Sequence, residues 1–244
     1  MLKPIVFDCN HANQIGWHVG GEQAGFIALK AAGFVGGFLK VRQGIGFSDP
    51  AFVRRRDLMR QNGLLVGGYD FSTHDDVKEN VKDFLASTGA DPSLAHCLDF
   101  EDNKSSQMTG AMAREFLDRV DQSTGRACWI YGGNRIIEQI SNMPDIEDDA
   151  FWAQHPLWLC AYKTDPALRD TDVATLKQRV VIPKPWTKWK LLQYTGDGIG
   201  PLPHSAPGLE VGADLNVYDG AAEELAASWL TDGGAGEQSH VGTV

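Results

Sequence analysis

The run HCLDFEDN at residues 96–103 sets Asp99, Glu101 and Asp102 within four positions of an otherwise apolar segment. Side chains alternate across a strand, so Asp99 and Glu101 point to one face and Leu98 and Phe100 to the other. A rise of ~3.3 Å per residue puts the two acids roughly 6–7 Å apart at Cα. Like charges that close in a partly dry cleft disfavour double ionisation, which raises one pKa. A proton-bearing carboxyl beside an ionised one is the arrangement that hydrolyses glycosidic bonds. Asp102 lies past the alternation and reads as the start of a loop. Two further acids fall in apolar runs: Asp8 closes IVFD, and Asp214 lies in ADLNVY. A single acid at a strand end often caps a helix or pairs with a cation. Four of them, set among aromatic residues, point to a site.

Other chemistries have less to stand on. No GxSxG, no P-loop and no GxGxxG with a following acid occurs. The histidines at 11, 18, 74, 96, 155, 204 and 240 form no HExxH or HxH pair. The cysteines at 9, 97, 128 and 160 form no CxxC and each lies in an apolar segment, so buried free thiols are expected. Carboxylates alone could hold a divalent cation, but without a metal motif acid–base catalysis is the better reading, and no metal or cofactor is expected. The formal charge of −10 argues against nucleic acid or an anionic membrane as a partner. No run approaches the ~18 apolar residues of a membrane span. The N-terminus, MLKPIVFDCN, carries no signal peptide pattern. A substrate outside the cytoplasm would then be reached after host lysis or by another export route.

The elements that must position these acids follow from the hydrophobic pattern. Eight short apolar runs read as strands: residues 4–8, 36–44, 63–71, 94–101, 127–133, 157–162, 189–195 and 211–218. Their continuous apolar character suits burial on both faces. Amphipathic segments separate several of them, notably 48–63, 72–88 and 109–125, with a last helix expected over 219–230. Strand and helix in alternation imply parallel βαβ units, and 43% apolar residues in 244 suffice for one α/β barrel. Residues 163–188 and 196–210 are rich in Pro, Gly and Asp. The expected fold is therefore an irregular β/α barrel of TIM type, with about eight mostly parallel strands and fewer than eight helices. It would occupy residues 1–230 as a single catalytic domain, with 231–244 as a flexible Gly-rich tail. In such barrels the active site lies at the C-terminal strand ends, where these acids fall.

Eight motifs stand in order along residues 4–220: IVFDCN, FLKVRQG, YDF, DFE, GRACWIYGG, LWLCAY, LLQYT and ADLNVYDG. Each is weak alone, but their order resembles the family 25 glycoside hydrolases, lysozymes that act as N-acetylmuramidases. The resemblance implies hydrolysis of the β-1,4 bond between N-acetylmuramic acid and N-acetylglucosamine in peptidoglycan. It implies Glu101 as general acid. Asp99 would either stabilise positive charge or orient the substrate acetamido group, with Asp8 and Asp214 shaping the electrostatics. Lys40, Tyr69, Asp70, Tyr131, Tyr162, Gln193, Tyr194 and Asn216 would contact the glycan, the tyrosines by stacking and hydrogen bonding. Trp129, Trp152, Trp158, Trp186 and Trp189 are left to the core or the rim.

Some positions depart from the family pattern. Cys9 and Asn10 follow Asp8 where a small residue and Ser are common, Arg42 and Gln43 replace a Thr-Glu pair, and Asp70 stands where His is usual. These departures motivate an alternative, a catalytically weak glycan-binding or virion structural module on the same barrel. A third reading is an enzyme for another N-acetylated glycan. A chitinase-type DxxDxDxE motif fails, because Leu94 and Cys97 occupy two of its acid positions. The leading expectation is a monomeric cell-wall hydrolase, such as a phage endolysin or a secreted muramidase.

Overall fold

The computed structural model describes residues 1–89, 91–142, 146–210 and 212–230; the tail expected over 231–244 lies outside the described residues. Its elements run β1 (Val6–Cys9), α1 (Glu22–Ala31), β2 (Gly36–Gln43), β3 (Phe47–Ser48), α2 (Phe52–Gln61), β4 (Leu65–Phe71), α3 (Val77–Thr88) and β5 (Leu94–Asp99). The second half runs α4 (Gly110–Thr124), β6 (Trp129–Gly132), α5 (Asn134–Ile136), α6 (Ile146–Ala153), β7 (Leu157–Cys160), α7 (Val173–Arg179), β8 (Leu191–Thr195), β9 (Asp214–Val217) and α8 (Ala222–Ala227).

Eight of the nine strands close into a barrel in the order β1-β2-β4-β5-β6-β7-β8-β9, because β1 pairs with both β2 and β9. All pairings from β1 through β8 are parallel, whereas β9 runs antiparallel to both neighbours. The two-residue β3 folds back on β2 as a hairpin. Six α-helices in the described residues have seven residues or more, fewer than eight as expected; the short α5 and α8 bring the α-helices to eight, beside a π turn at Ile137–Ser141 and a 3-10 turn at Pro166–Leu168. Every expected strand is present, and residues 196–210 carry no helix.

Local chemistry sets the helix limits. Asp76 accepts from the Glu79 N–H to start α3, and Gly89 ends it at φ 72°. Thr109 accepts from Met112 N–H to start α4, which stops at Gly125 with φ 69°. Between Pro- and Asp-rich neighbours, Asp172 caps α7 through the Thr175 N–H, a helix that composition alone hides.

Alternation divides the strands between two cores. Phe7, Leu39, Val66, Leu98, Ile130, Leu159, Leu192 and Val217 face outward under the helices. Val6, Phe38, Tyr69, Cys97, Trp129, Tyr131, Trp158 and Leu191 face inward. The inner space is filled by aromatic rings: Phe38 lies 5.1 Å from Trp229, 5.3 Å from Trp129 and 4.6 Å from Trp158. Trp158 in turn lies 4.4 Å from Tyr131. Gly67 makes room for this, since a Cβ there would stand 2.2 Å from the Phe38 ring. Trp229, just past α8, closes the end at which the strands begin and donates from Nε1 to the Val66 carbonyl at 3.1 Å. The barrel is thus plugged at its N-terminal end, and only the C-terminal end is left for a site.

Trp229→Ala deletes that plug, and a buried Trp-to-Ala change costs about 3–5 kcal/mol. The midpoint of urea unfolding should fall accordingly, with the slope unchanged.

Candidate active site

Four acids meet at the C-terminal mouth. Asp8 ends the inward face of β1, opposite Asp214 of β9 in the antiparallel register. Asp99 closes β5 beside Tyr131 of β6 and Phe71 of β4. Glu101 lies two residues on, where the Phe100 N–H still bonds the Tyr131 carbonyl at 2.8 Å and so extends the strand parity. Asp102 accepts from Gln107 Nε2 at 3.2 Å and belongs to the following loop, although it also borders the groove described below.

Asp8 is held by neutral donors. Its Oδ2 accepts from Gln193 Nε2 at 2.8 Å and from Asn216 Nδ2 at 2.9 Å. These amides are oriented from behind. Gln193 Oε1 accepts from the Tyr131 hydroxyl at 2.6 Å and the Tyr162 hydroxyl at 2.5 Å. Asn216 Oδ1 accepts from Trp158 Nε1 at 2.6 Å. With both amides fixed at oxygen and nitrogen, the flip assignment of each is determined by its partners. Gly196 admits the convergence of Tyr162, just past β7, and Asp214 of β9, since a Cβ there would stand 2.4 Å from both Asp214 Oδ1 and the Tyr162 hydroxyl.

Burial raises every acid of the set. Desolvation, only partly offset by Asn216 and Gln193, pushes Asp8 up to about 7. It pushes Asp214 up to about 9, with Asp8 adding to the effect. Asp99 is driven well above the usual range by desolvation and then by Glu101, against the pull of Lys40. One Asp99 oxygen, Oδ1, has no hydrogen-bond partner. Glu101 is raised by desolvation and drawn back by a hydrogen bond with Tyr131. The Tyr131 hydroxyl has one proton and two neighbouring acceptors, Gln193 and Glu101, so its direction reports whether Glu101 is ionised.

Lys40 faces the same interior. Its Nζ donates to Gln43 Oε1 at 2.8 Å and lies 4.8 Å from the Phe71 ring centre. Burial lowers its pKa, while Asp99, Asp49 and Asp70 raise it. Tyr69 is buried among the acids, its phenol pushed up by desolvation and then by Asp99 and Asp8.

Two expected glycan contacts are not brought to the mouth. Asp70 follows the inward Tyr69, so strand parity turns it outward. It is fully buried, accepts from the Gly44 N–H at 3.0 Å, and is pushed up to about 7 by desolvation. Tyr194 follows the inward Gln193 and is likewise turned outward, where its hydroxyl donates to the Pro203 carbonyl at 2.9 Å. The remaining ten expected residues (Asp8, Lys40, Tyr69, Asp99, Glu101, Tyr131, Tyr162, Gln193, Asp214 and Asn216) come together. Sequence reading missed two others. Trp158 orients Asn216, and the half-buried Cys160 lies beside Tyr131, Tyr162 and Glu101; burial, aided by the charge of Glu101 and opposed by hydrogen bonds with the two tyrosines, pushes its thiol up to about 12. Their signal was present in LWLCAY, where residues 158, 160 and 162 share a parity.

Open space flanks the cluster on two sides. A groove of about 610 Å³ is bordered by Glu101, Arg135, Cys160, Tyr162 and Lys163. A second hollow of about 370 Å³ is bordered by Asp8, Asn13, Asp197, Leu209 and Glu210. Among the described residues no group of His, Cys, Asp and Glu has the geometry of a metal site. No helix among them is long and apolar enough to cross a membrane.

An acid-lined mouth on an irregular β/α barrel defines the chain as having a glycosidase-type architecture. Residues 14–201 match the profile of the glycosyl hydrolases family 25, and the chain belongs to that family. The fold is shared with the lysozyme of Streptomyces coelicolor at TM-score 0.68 and 19% identity, covering 91% of this chain and 94% of that one. It is shared with the family GH25 lysozyme of Aspergillus fumigatus at TM-score 0.63 and 22% identity, covering 91% and 96%. The uncharacterized protein YegX of Escherichia coli K12 is 26% identical over 197 residues, 78% of this chain and 61% of YegX. This chain therefore matches less than two thirds of that relative's length.

Acids whose folded pKa lies above the unfolded value of about 4 bind protons in the native state that the unfolded chain has already lost. Stability is then greatest below pH 4 to 5 as far as these groups act, and falls as pH rises toward the folded values, about 7 for Asp8 and about 9 for Asp214. The melting temperature should drop between pH 5 and pH 9, and Asp214→Asn should make that slope shallower.

Proposed function

We propose that this protein hydrolyses the β-1,4 bond between N-acetylmuramic acid and N-acetylglucosamine in peptidoglycan, with Glu101 as proton donor. Family membership supports glycoside hydrolysis. The observation that carries the assignment of roles is the unequal treatment of the four acids. Asp8 and Asp99 are buried and Asp214 and Glu101 partly so, but of the four only Glu101 borders the larger, 610 Å³ groove, while Asp8 borders the smaller hollow. An elevated pKa extends the pH range over which a carboxyl stays protonated, as a general acid requires. Glu101 would protonate the leaving oxygen, and Tyr131 would turn its hydroxyl toward the carboxylate that results.

Positive charge then develops at the anomeric carbon. Asp8 is the carboxyl whose charged form the protein solvates most directly, since two amide N–H groups already point at it. Asp99, with an unpartnered oxygen and Lys40 acting on it, is placed to assist, either against that charge or by orienting a substrate acetamido group. Tyr69, Tyr162 and Lys40 would contact sugar. Action on the bacterial wall, reached by host lysis or by export, belongs to the same proposal.

Most of the departures that motivate the module alternative lie away from the acids. Arg42 turns outward to Asp83 and Ser87 and Asp70 is sealed beneath α3, so neither side chain touches the mouth, whereas Gln43 does so through Lys40. Asn10 exchanges hydrogen bonds with its own loop, its side chain accepting from the Ala12 N–H and its N–H donating to Asn13.

Digestion of purified peptidoglycan should release new muramic acid reducing ends. Glu101→Gln should reduce the rate about 10²–10⁴-fold with the fold intact. In the wild type the rate should fall as pH rises past the elevated Glu101 pKa. Retained binding without cleavage by the wild type would instead favour the module, and N-acetylglucosamine reducing ends would indicate a different bond.

A further inference from the structure

Six of the seven tryptophans are at most 7% exposed, whereas Trp17 is 69% exposed. An indole is a large apolar surface to leave in water, and the chain does not leave it there by default. The loop that carries it, residues 16–21 between β1 and α1, is tied down. Gly16 N–H donates to the Gly208 carbonyl at 2.9 Å, and Gly21 N–H to the Gly16 carbonyl at 2.8 Å. Gly16 has φ +73°, and a Cβ there would stand 2.0 Å from the Gly21 oxygen, so the loop closes only with glycine. Trp17 is held outward by a backbone with little freedom to bring it in.

Its surroundings connect it to the site. Trp17, His18 and Val19 border a small hollow together with Gly208, Leu209 and Glu210. Leu209 and Glu210 also border the 370 Å³ hollow that reaches Asp8. The two spaces share one wall, so open surface continues from the acids past Asp8 to the indole. Glu210 stands at the junction, with its Oε1 buried there and lacking a hydrogen-bond partner.

We propose that Trp17 is the stacking platform of a distal glycan position. It would take an N-acetylated hexosamine farther along the strand whose cleavable bond lies at Glu101. A pyranose offers an apolar C–H face to the indole, and its hydroxyl and amide N–H groups are donors suited to a carboxylate such as Glu210. One indole with Val19 and Leu209 beside it, among Gly, His and Glu, is too small an apolar surround for a protein interface or a lipid surface. This inference rests on the glycan-cleft reading above but not on turnover.

The experiment uses peptide-free peptidoglycan glycan strands of defined lengths, titrated into the Glu101→Gln protein with and without Trp17→Ala. Parallel digests use the wild type and Trp17→Ala. Loss of one aromatic stack corresponds to roughly a three- to tenfold affinity loss. That loss should appear for long strands and be absent for the shortest that bind. Long strands should also shield Trp17, the exposed indole, from acrylamide quenching. Melting temperature should be unchanged by Trp17→Ala, which separates this effect from misfolding. If the wild type cuts strands and Trp17→Ala leaves the length dependence unaltered, the distal position is overturned and hydrolysis stands. If length-dependent binding requires Trp17 but nothing is cut, hydrolysis is overturned and the distal position stands. No binding at any length overturns both, and an effect seen only with peptide-bearing strands overturns the glycan as occupant.

Discussion

The constraint on which this structure depends is the burial of four carboxyls in one barrel mouth. Their mutual repulsion and lost hydration would be costly if all were ionised, so the folded chain must keep some of them protonated. The surrounding residues decide which. Asp8 receives two amide donors, and Asp99 has an oxygen with none. Asp214 faces Asp8 across a strand pair, and Glu101 borders the larger groove. The proton inventory of the mouth is therefore distributed by hydrogen bonds laid down in β1, β8 and β9. None of these donors carries charge.

Such a mouth needs a rigid floor. Phe38, Trp129, Trp158 and Trp229 supply it by filling the barrel from the end where the strands begin. The same rings reach into the polar network, because Trp158 both packs on Phe38 and donates to Asn216. Packing and proton placement are thereby linked through one side chain. A shift of the aromatic stack would move Asn216 and then Asp8. The antiparallel β9 matters for the same reason: it brings Asp214 and Asn216 onto the inward face alongside Asp8 and closes the barrel with no edge exposed there.

Much of this was legible in the sequence because apolar runs mark buried strands whatever their direction. All eight barrel strands were found, along with ten of the residues that meet at the mouth. The reversed direction of β9 was not legible, since alternation is identical for parallel and antiparallel neighbours. Asp70 and Tyr194 were assigned to the cleft on motif position, yet each adjoins a residue also assigned inward, Tyr69 and Gln193. Adjacent residues of a strand cannot both face the barrel interior. The parity that correctly paired Asp99 with Glu101 would have removed both. Helices α6 and α7 were missed because Pro and Asp around them mask a short helical period, and α7 depends on a single Asp172 cap.

The choice of amides to hold Asp8 bears on how the mouth could work. An arginine in place of Gln193 or Asn216 would supply stronger bonds, and it would also pull the carboxyl below its ordinary range and fix it as an anion. The chain does use that device where no titration is needed, since Arg54 and Arg55 grip Glu22 on the flank and lower its pKa despite partial burial. At the mouth it uses Gln193 and Asn216, which leave Asp8 balanced at about 7. Lys40 is the cation admitted to this interior, and burial lowers its own pKa rather than letting it dominate. A set of acids kept near neutrality by uncharged donors can exchange protons with a bound substrate at small energetic cost. An ion-paired set of the same geometry would be more stable at neutral pH, and its carboxyls would be locked out of proton transfer.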